Sequence, residues 1–86
     1  MNFKKAVKSI TGLPSEIILN TPKMTVEADE KIRIENFKGL VEYTDKFICI
    51  NTNTFTIKIE GELLNIGYMT KEEICILGSI KNINYD

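Results

Sequence analysis

The chain of 86 residues contains no histidine and no tryptophan, and it contains only two cysteines. Without histidine it lacks the usual general base of enzymes and the commonest protein ligand of metal ions. Cys49 and Cys75 lie 26 positions apart, with no CxxC pair, and cannot complete a four-ligand zinc site within one chain. We therefore expect no enzymatic activity, no catalytic residues, no metal site and no cofactor.

Long apolar runs are absent as well. The sequence has no stretch of about 20 apolar residues, so we do not expect it to span a bilayer. No apolar stretch of roughly 7–15 residues follows the basic start, as it would in a signal peptide. These absences predict a cytoplasmic protein.

The net charge is small, at −1. No global basic field is therefore available to hold nucleic acid, and we expect no nucleic-acid partner. The charge is unevenly distributed, because residues 1–23 carry four lysines and one glutamate, whereas residues 24–86 carry seven basic and eleven acidic side chains. A basic segment of this kind suits contact with an anionic surface, although chance produces similar arrangements in many short helices.

The remaining polar groups do not form a recognisable reactive site. The adjacent acids Glu72-Glu73 and Asp29-Glu30 point in different directions on a strand or helix, so we interpret them as solvated turn charges. Neither a GxSxG elbow nor a glycine-rich phosphate loop is present. The two cysteines are each flanked by isoleucines, which predicts buried free thiols on centrally placed strands.

What the sequence does contain is alternation. Seven couplets of the form apolar-x-apolar follow one another: Ile32/Ile34, Val41/Tyr43, Ile48/Ile50, Ile57/Ile59, Leu64/Ile66, Ile74/Ile76 and Ile83/Tyr85. A side-chain period of two, recurring every 7 to 10 residues or so, is typical of short strands that bury one face. The pattern predicts an all-β domain, arranged as a small antiparallel sandwich or open barrel.

The spacing of the couplets leaves one alternative open. Those beginning at residues 32, 48 and 64 are 16 apart, and those at 41, 57 and 74 are 16 and 17 apart. Such an echo could indicate a two-sheet β-solenoid, in which a two-strand unit coils repeatedly. A meander folded into a sandwich has the same spacing and is the preferred interpretation.

A single domain is expected, with a short helical N-terminal segment at residues 1–22 and a β domain at 23–86. In the N-terminal segment we predict a helix at residues 3–10, capped by Asn2, and a second short helix beginning near Pro14. In the β domain we predict strands at residues 24–26, 31–35, 40–43, 47–51, 55–60, 63–68, 73–77 and 80–85. Gly61 and Gly78 are interpreted as breaks between strands. Thr70 is expected to cap a loop or single helical turn with Glu73 as its partner.

Four patches together resemble the YabP/YqfC family of sporulation proteins, and the YqfC branch most closely. They are Gly12-Leu13-Pro14 leading to Pro22; Ile34-Glu35-Asn36 with Lys38-Gly39 and Val41-Glu42-Tyr43; Ile59-x-Gly61-x-x-Leu64-x-Ile66; and Glu72-Glu73-Ile74-x-Ile76-x-Gly78-x-Ile80-x-x-Ile83-x-Tyr85. The resemblance covers residues from about 10 to 86. One departure is Phe37, where the family often has histidine or arginine, so any role of a polar side chain there is not carried over.

The resemblance implies a protein of an endospore-forming bacterium, made in the mother cell and needed for spore development, with no catalytic residues to carry over. The YqfC branch is typically encoded beside YqfD, a membrane protein. A YqfD-like membrane protein is therefore one expected partner, and a homo-oligomer is the other.

We expect contacts at Phe37, Lys38 and Phe47, near turns of the β domain, and at Lys4, Lys5 and Lys8 on the basic helix. Edges of terminal strands are the physical motive for self-association or docking. Two alternatives are kept: a peripheral membrane binder acting through the basic helix, and a small ligand-binding β-barrel.

Overall fold

The computed structural model describes residues 21–86, which form six strands and no helix. The strands are β1 (Lys23–Glu27), β2 (Lys31–Glu35), β3 (Phe37–Tyr43), β4 (Phe47–Thr52), β5 (Thr56–Met69) and β6 (Glu73–Tyr85). They make one antiparallel sheet in the order β1-β2-β6-β5-β4-β3. The all-β prediction is confirmed, whereas the predicted N-terminal helices lie outside the described residues.

The long strands β5 and β6 form the centre of the sheet, and each carries a short hairpin on its N-terminal half. The β1–β2 arm consists of β1, β2 and residues 73–77 of β6, to which β2 is paired. The β3–β4 arm consists of β3, β4 and residues 56–60 of β5, to which β4 is paired. The same plan is therefore used twice, once on each central strand.

An internal repeat underlies this arrangement. Ile57, Ile59, Gly61, Asn65, Ile66 and Tyr68 recur 17 positions later as Ile74, Ile76, Gly78, Asn82, Ile83 and Tyr85. The two copies are the antiparallel neighbours β5 and β6, so an approximate two-fold axis relates them. The solenoid alternative is wrong, because it needs repeats stacked along one direction, and here each copy of the repeat runs opposite to the other.

The sequence analysis interpreted Gly61 and Gly78 as breaks between strands, and this is wrong. Both glycines lie inside a strand, where β5 and β6 bend past one another. A Cβ at Gly61 would lie 2.1 Å from the carbonyl oxygen of Ser79, and one at Gly78 would lie 2.8 Å from that of Leu63. Gly78 also has a φ of +139°, which L side chains rarely adopt. Pairing continues on both sides of each glycine, so four predicted segments merge into two bent strands.

The hairpin turns of both arms are attached to these bends. In the β1–β2 arm, the N–H groups of Gly78 and Ile80 donate to the carbonyls of Glu30 (3.2 Å) and Asp29 (2.8 Å). In the β3–β4 arm, Gly61 and Leu64 likewise donate to residues 46 and 45, at 3.0 and 2.7 Å. The bends are thus held from both sides by backbone hydrogen bonds.

Asn36 connects the two arms. It is the single residue between β2 and β3, although these strands are second and last in the sheet order. So short a connection requires the sheet to fold over on itself. Asn36 has a φ of 65°, and its N–H donates to the Glu72 carbonyl at 2.7 Å. The sequence analysis began this strand at residue 40, whereas β3 already begins at Phe37.

One core fills the inside of the folded sheet. Its ten buried members are Ile32, Ile34, Ile74 and Ile76 from the β1–β2 arm, Ile48, Ile50, Ile57 and Ile59 from the β3–β4 arm, and Leu64 and Ile80 from the bends. The eight isoleucines of the arms are fully buried. Burying such a side chain contributes about 1.5–3 kcal/mol, so the four isoleucine couplets are a main source of stability. The predicted couplet Val41/Tyr43 is instead exposed.

Three of the turns share one design based on threonine. In the turns that begin at Thr44, Thr52 and Thr70, the hydroxyl oxygen accepts the N–H of the residue three positions later, at 2.9–3.0 Å. The N–H of each threonine donates in return to the carbonyl of that same residue. Thr70 therefore caps Glu73 as predicted, but within a β-hairpin, and the helical turn is wrong.

Candidate interaction surface

The two cysteines are buried and free, as predicted. Each lies on the outer face of the sheet beside a cationic residue of the next strand: Cys49 is paired with Lys58, and Cys75 with Arg33. Both are nevertheless nearly inaccessible, at 7% and 2% exposure. Within residues 21–86, no group of three or more histidine, cysteine or acidic residues could hold a metal ion.

A polar depression of about 420 Å³ lies at one end of the sheet, lined by Glu35, Asn36, Thr70, Glu72 and Glu73. Several of its groups make structural contacts. The Thr70 hydroxyl closes the β5–β6 turn, and the Glu72 carbonyl accepts the Asn36 N–H. Of the three glutamates in this depression, Glu73 has its carboxylate bound by Arg33 and Tyr68.

Glu73 is more than a solvated turn charge, which corrects the sequence analysis for this residue. Its Oε2 lies 3.3 Å from Nε of Arg33 and accepts the Tyr68 hydroxyl at 2.5 Å. The hydrogen bond to Glu73 raises the pKa of Tyr68 to about 12. Arg33 also approaches Glu27 of β1, at 4.0 Å. These four side chains connect β1, β2, β6 and the adjoining end of β5.

The outer face of the β3–β4 arm has a simpler ion pair, between Lys58 Nζ and Asp86 Oδ2 at 2.7 Å. Their hydrogen bond and charge attraction lower the pKa of Asp86 and raise that of Lys58. The backbone of Asp86 also exchanges two hydrogen bonds with Thr56, of 2.8 and 3.1 Å. The end of β6 is thereby held against the beginning of β5.

Two strands of the described sheet, β1 and β3, have one neighbour each and are its edges. An edge strand presents backbone N–H and C=O groups that can pair with another chain. Residues 21–86 therefore offer two places where a partner strand could be added, one on each arm.

The β3 edge is irregular. Its register against β4 shifts twice, between Phe37 and Gly39 and between Leu40 and Glu42, which leaves Lys38 and Val41 as bulged residues. Bulges twist an edge away from a new strand and are a common protection against pairing. Val41 remains 57% exposed. This edge presents apolar surface with a distorted backbone.

The β1 edge is regular. All five of its residues, from Lys23 to Glu27, pair with β2 without a shift. Met24 and Val26 lie opposite the buried Ile34 and Ile32, which places them on the core side of the sheet. Val26 is nevertheless 45% exposed, because no strand lies beyond it in the described chain. This edge has the geometry that strand addition needs.

The predicted contact residues fall in different environments. Phe37 is half-buried and packs against the core. Lys38 is exposed, and Phe47 is half-buried on the outer face, opposite Glu60. These three do not form one patch, and their role in binding stays a prediction. Lys4, Lys5 and Lys8 lie outside the described residues.

Sequence reasoning did not single out the regular β1 edge or Leu63. Leu63 is 75% exposed and has a φ of 55°, in a bend where β5 and β6 lose register. The repeat around Gly61 and Gly78 could have indicated that bend. For β1, the signal was the pair of opposite charges at the two ends of the five-residue strand, which could have indicated an edge suited to pairing with a second copy.

In residues 21–86 there is no helix long and apolar enough to cross a membrane. Comparison with known proteins gives one family: the model of the YabP family matches residues 19–86. No curated protein and no solved structure matches the chain. The match covers most of the sequence and includes every described strand.

Proposed function

Because this chain belongs to the YabP family, which suggests a role in sporulation, we propose that it is a non-enzymatic sporulation protein of the mother cell. In this proposal it works by contact, as a β domain that self-associates or docks on a YqfD-like membrane protein. The observation that supports contact is that β1 and β3 each have one neighbour in the described sheet, together with the exposed Val26 and Val41 on these edges. Strand addition to an edge is a common mode of protein recognition.

The sporulation role is tested in the cell. Deleting the gene in an endospore-forming host should reduce the yield of heat-resistant spores, and a copy expressed from a mother-cell promoter should restore it. Expression from a forespore promoter is the matched control and should not restore the yield. A normal spore yield in the deletion strain would contradict the proposal.

The contact mechanism is tested with purified protein. Light scattering after size-exclusion chromatography should give a mass above 9.8 kDa that rises with concentration. A tagged chain should also retain the YqfD-like protein of the same host from detergent extracts. A chain that stays monomeric at all concentrations and retains no membrane protein would contradict self-association and docking together.

A peripheral membrane role is the second candidate, favoured by the four lysines against one glutamate in residues 1–23. Each basic residue near an anionic bilayer contributes about 1 kcal/mol. Sedimentation with anionic vesicles should then depend on Lys4, Lys5 and Lys8, and their replacement by glutamate should abolish it. Equal binding to neutral vesicles would point to another surface.

A further inference from the structure

The regular edge strand β1 is complementary to a second copy of itself. Its sequence is Lys-Met-Thr-Val-Glu, with opposite charges at its ends, apolar residues inside them and threonine at the centre. We propose that two copies of the chain pair antiparallel along β1, about a two-fold axis at Thr25. The proposal rests on the self-association proposed above and specifies its surface, register and symmetry.

The two-fold axis fixes every cross-strand neighbour. Lys23 lies opposite Glu27 of the second copy, Met24 opposite Val26, and Thr25 opposite the same threonine. Each pair except the central one occurs twice. Opposite charges, apolar pairs and threonine pairs are all favourable directly across an antiparallel pair of strands. No other antiparallel register places Lys23 and Glu27 of each copy opposite a residue of the opposite charge.

Pairing in this register also covers the open edge of the core. Met24 packs against the core and Val26 is 45% exposed on the same face. In the pair, Met24 of each copy lies beside Val26 of the other, so the apolar inner face continues from one sheet into the next. The Val26 side chain then loses most of its contact with water, which is favourable by the hydrophobic effect.

The alternative edge is less suitable. A similar two-fold pairing of β3 about Leu40 would also set Lys38 against Glu42 of the second copy. However, β3 is bulged at Lys38 and again at Val41, so its backbone groups do not lie in the even row that a new strand needs. The β1 edge has no bulge against β2. Backbone geometry therefore selects β1.

A pair of five-residue strands is a small interface. It falls well below the roughly 1,200 Å² of surface that stable complexes bury, so the dimer is expected to be weak and dependent on concentration. Pro22, which precedes β1, has no N–H group and prevents the ladder from extending backwards in regular form. A covalent trap is the appropriate way to detect such a pair.

The trap is a cysteine at the two-fold axis. Residues directly opposite in antiparallel strands have Cα atoms about 4.5–5.5 Å apart, within the range that a disulfide bridges. Under a copper–phenanthroline oxidant, Thr25→Cys should form a disulfide dimer at least about ten times faster than the controls, because its two thiols are held together. Wild type, with its buried Cys49 and Cys75, is the first control. Val41→Cys on the exposed β3 edge is the second.

Charge exchange tests the register independently. In Thr25→Cys chains that also carry Lys23→Glu, two pairs of glutamates face each other, and in those with Glu27→Lys two pairs of lysines do. Each variant alone should cross-link about tenfold more slowly. A mixture of the two restores both opposite-charge pairs, so the trapped dimer should be mainly the mixed species. Thermal unfolding of each variant checks the monomers, because Lys23 and Glu27 also face Glu35 and Lys31 of β2.

The outcomes separate the surface from the function. Cross-linking of Thr25→Cys no faster than that of Val41→Cys, or a statistical mixture of dimers, would overturn pairing along β1. If wild type still gave a dimeric mass by light scattering, self-association would stand and would use another surface. If Thr25→Cys failed to cross-link faster than Val41→Cys and the wild type were monomeric but still required for sporulation, the sporulation role would stand and the dimer would be ruled out.

Discussion

The two arms of the sheet follow one plan but differ at their edges. Both consist of a short hairpin on the first half of a long strand, and both supply four fully buried isoleucines to one core. The β1–β2 arm has a regular edge and an outer face connected through Arg33 and Glu73. The β3–β4 arm has a bulged edge and two separate ion pairs, Lys58–Asp86 and Lys46–Glu62. The interior is thus duplicated, and the differences are concentrated where another chain could bind.

The largest expected effect comes from substitutions at the glycines where β5 and β6 bend past one another. Gly61→Ala would place a Cβ 2.1 Å from the Ser79 carbonyl oxygen, a backbone atom that cannot easily move. We expect a loss of at least about 3 kcal/mol in the free energy of unfolding, or no folded protein. Gly78→Ala should also be strongly destabilising, because alanine would have to adopt the φ of +139° and its Cβ would lie 2.8 Å from the Leu63 carbonyl oxygen.

Gly39→Ala is the matched control, because a Cβ there meets no atom within 4 Å. It should change the unfolding free energy in urea by less than about 0.5 kcal/mol. If Gly61→Ala were as mild as this control, the close crossing of β5 and β6 would be wrong.

The next effect asks whether the arms unfold together. Ile34→Ala in the β1–β2 arm and Ile50→Ala in the β3–β4 arm each remove a fully buried side chain. Each should cost about 2–5 kcal/mol. Because both isoleucines belong to one core, calorimetry and circular dichroism should give a single transition in either variant. Two separate transitions would show that the arms are independent units.

A smaller effect distinguishes the outer faces. Removing the carboxylate with Glu73→Gln should bring the pKa of Tyr68 down from about 12 towards 10, where an unperturbed tyrosine titrates. Absorbance at alkaline pH measures the change, and Tyr68→Phe identifies the titrating group. An unchanged titration curve would contradict the Tyr68–Glu73 hydrogen bond.

The same hydrogen bond makes stability depend on alkaline pH. The folded pKa of Tyr68 is higher than its unfolded value, so the folded state holds this proton more tightly. Its contribution is full below about pH 10 and is lost as the pH rises through about 12. In Tyr68→Phe this part of the alkaline decrease in melting temperature should disappear.

The smallest effect is at the end of the β3–β4 arm. The pKa of Asp86 is lowered by Lys58, so the contribution of this exposed pair is present at neutral pH and is lost as the pH falls through the folded pKa. Asp86→Asn should leave the melting temperature nearly unchanged but speed hydrogen exchange of the Asp86 and Thr56 amides. Equal amide exchange rates in wild type and Asp86→Asn would show that the backbone hydrogen bonds hold the end of β6 without the ion pair.

The strands were predictable because alternation reports burial directly. Isoleucine couplets such as Ile57/Ile59 fix which face of a strand is inside, and every one of the isoleucine pairs in the core was visible in the sequence. The burial of Cys49 and Cys75 was predicted from a different signal, a run of three apolar residues, because alternation alone places both on the outer face.

The bends and connections were not predictable in this way. Glycine in a strand indicates either an end or a close approach, and only the facing carbonyl of Ser79 decides the matter for Gly61. Threonine followed by an acid three residues later fits a helix cap as well as a hairpin turn, so the sequence left both a loop and a helical turn open at Thr70, and the structure has the former. Phe37 and Phe47 were predicted as contacts because they lie near predicted turns. The regular β1 edge depends on the register of backbone hydrogen bonds, which composition does not reveal.

Asn36 has a consequence for the order of events during synthesis. The hairpin of β1 and β2 finds its place only on residues 73–77, which leave the ribosome about forty residues after β2 itself. The strands that follow Asn36 pair with their immediate successors and can begin to assemble at once. We therefore expect β3, β4 and β5 to associate first, with the earliest-made hairpin waiting for the last-made strand. Until then both β1 and β2 are edges of a two-stranded hairpin. The nascent protein is therefore most exposed to mispairing in that interval.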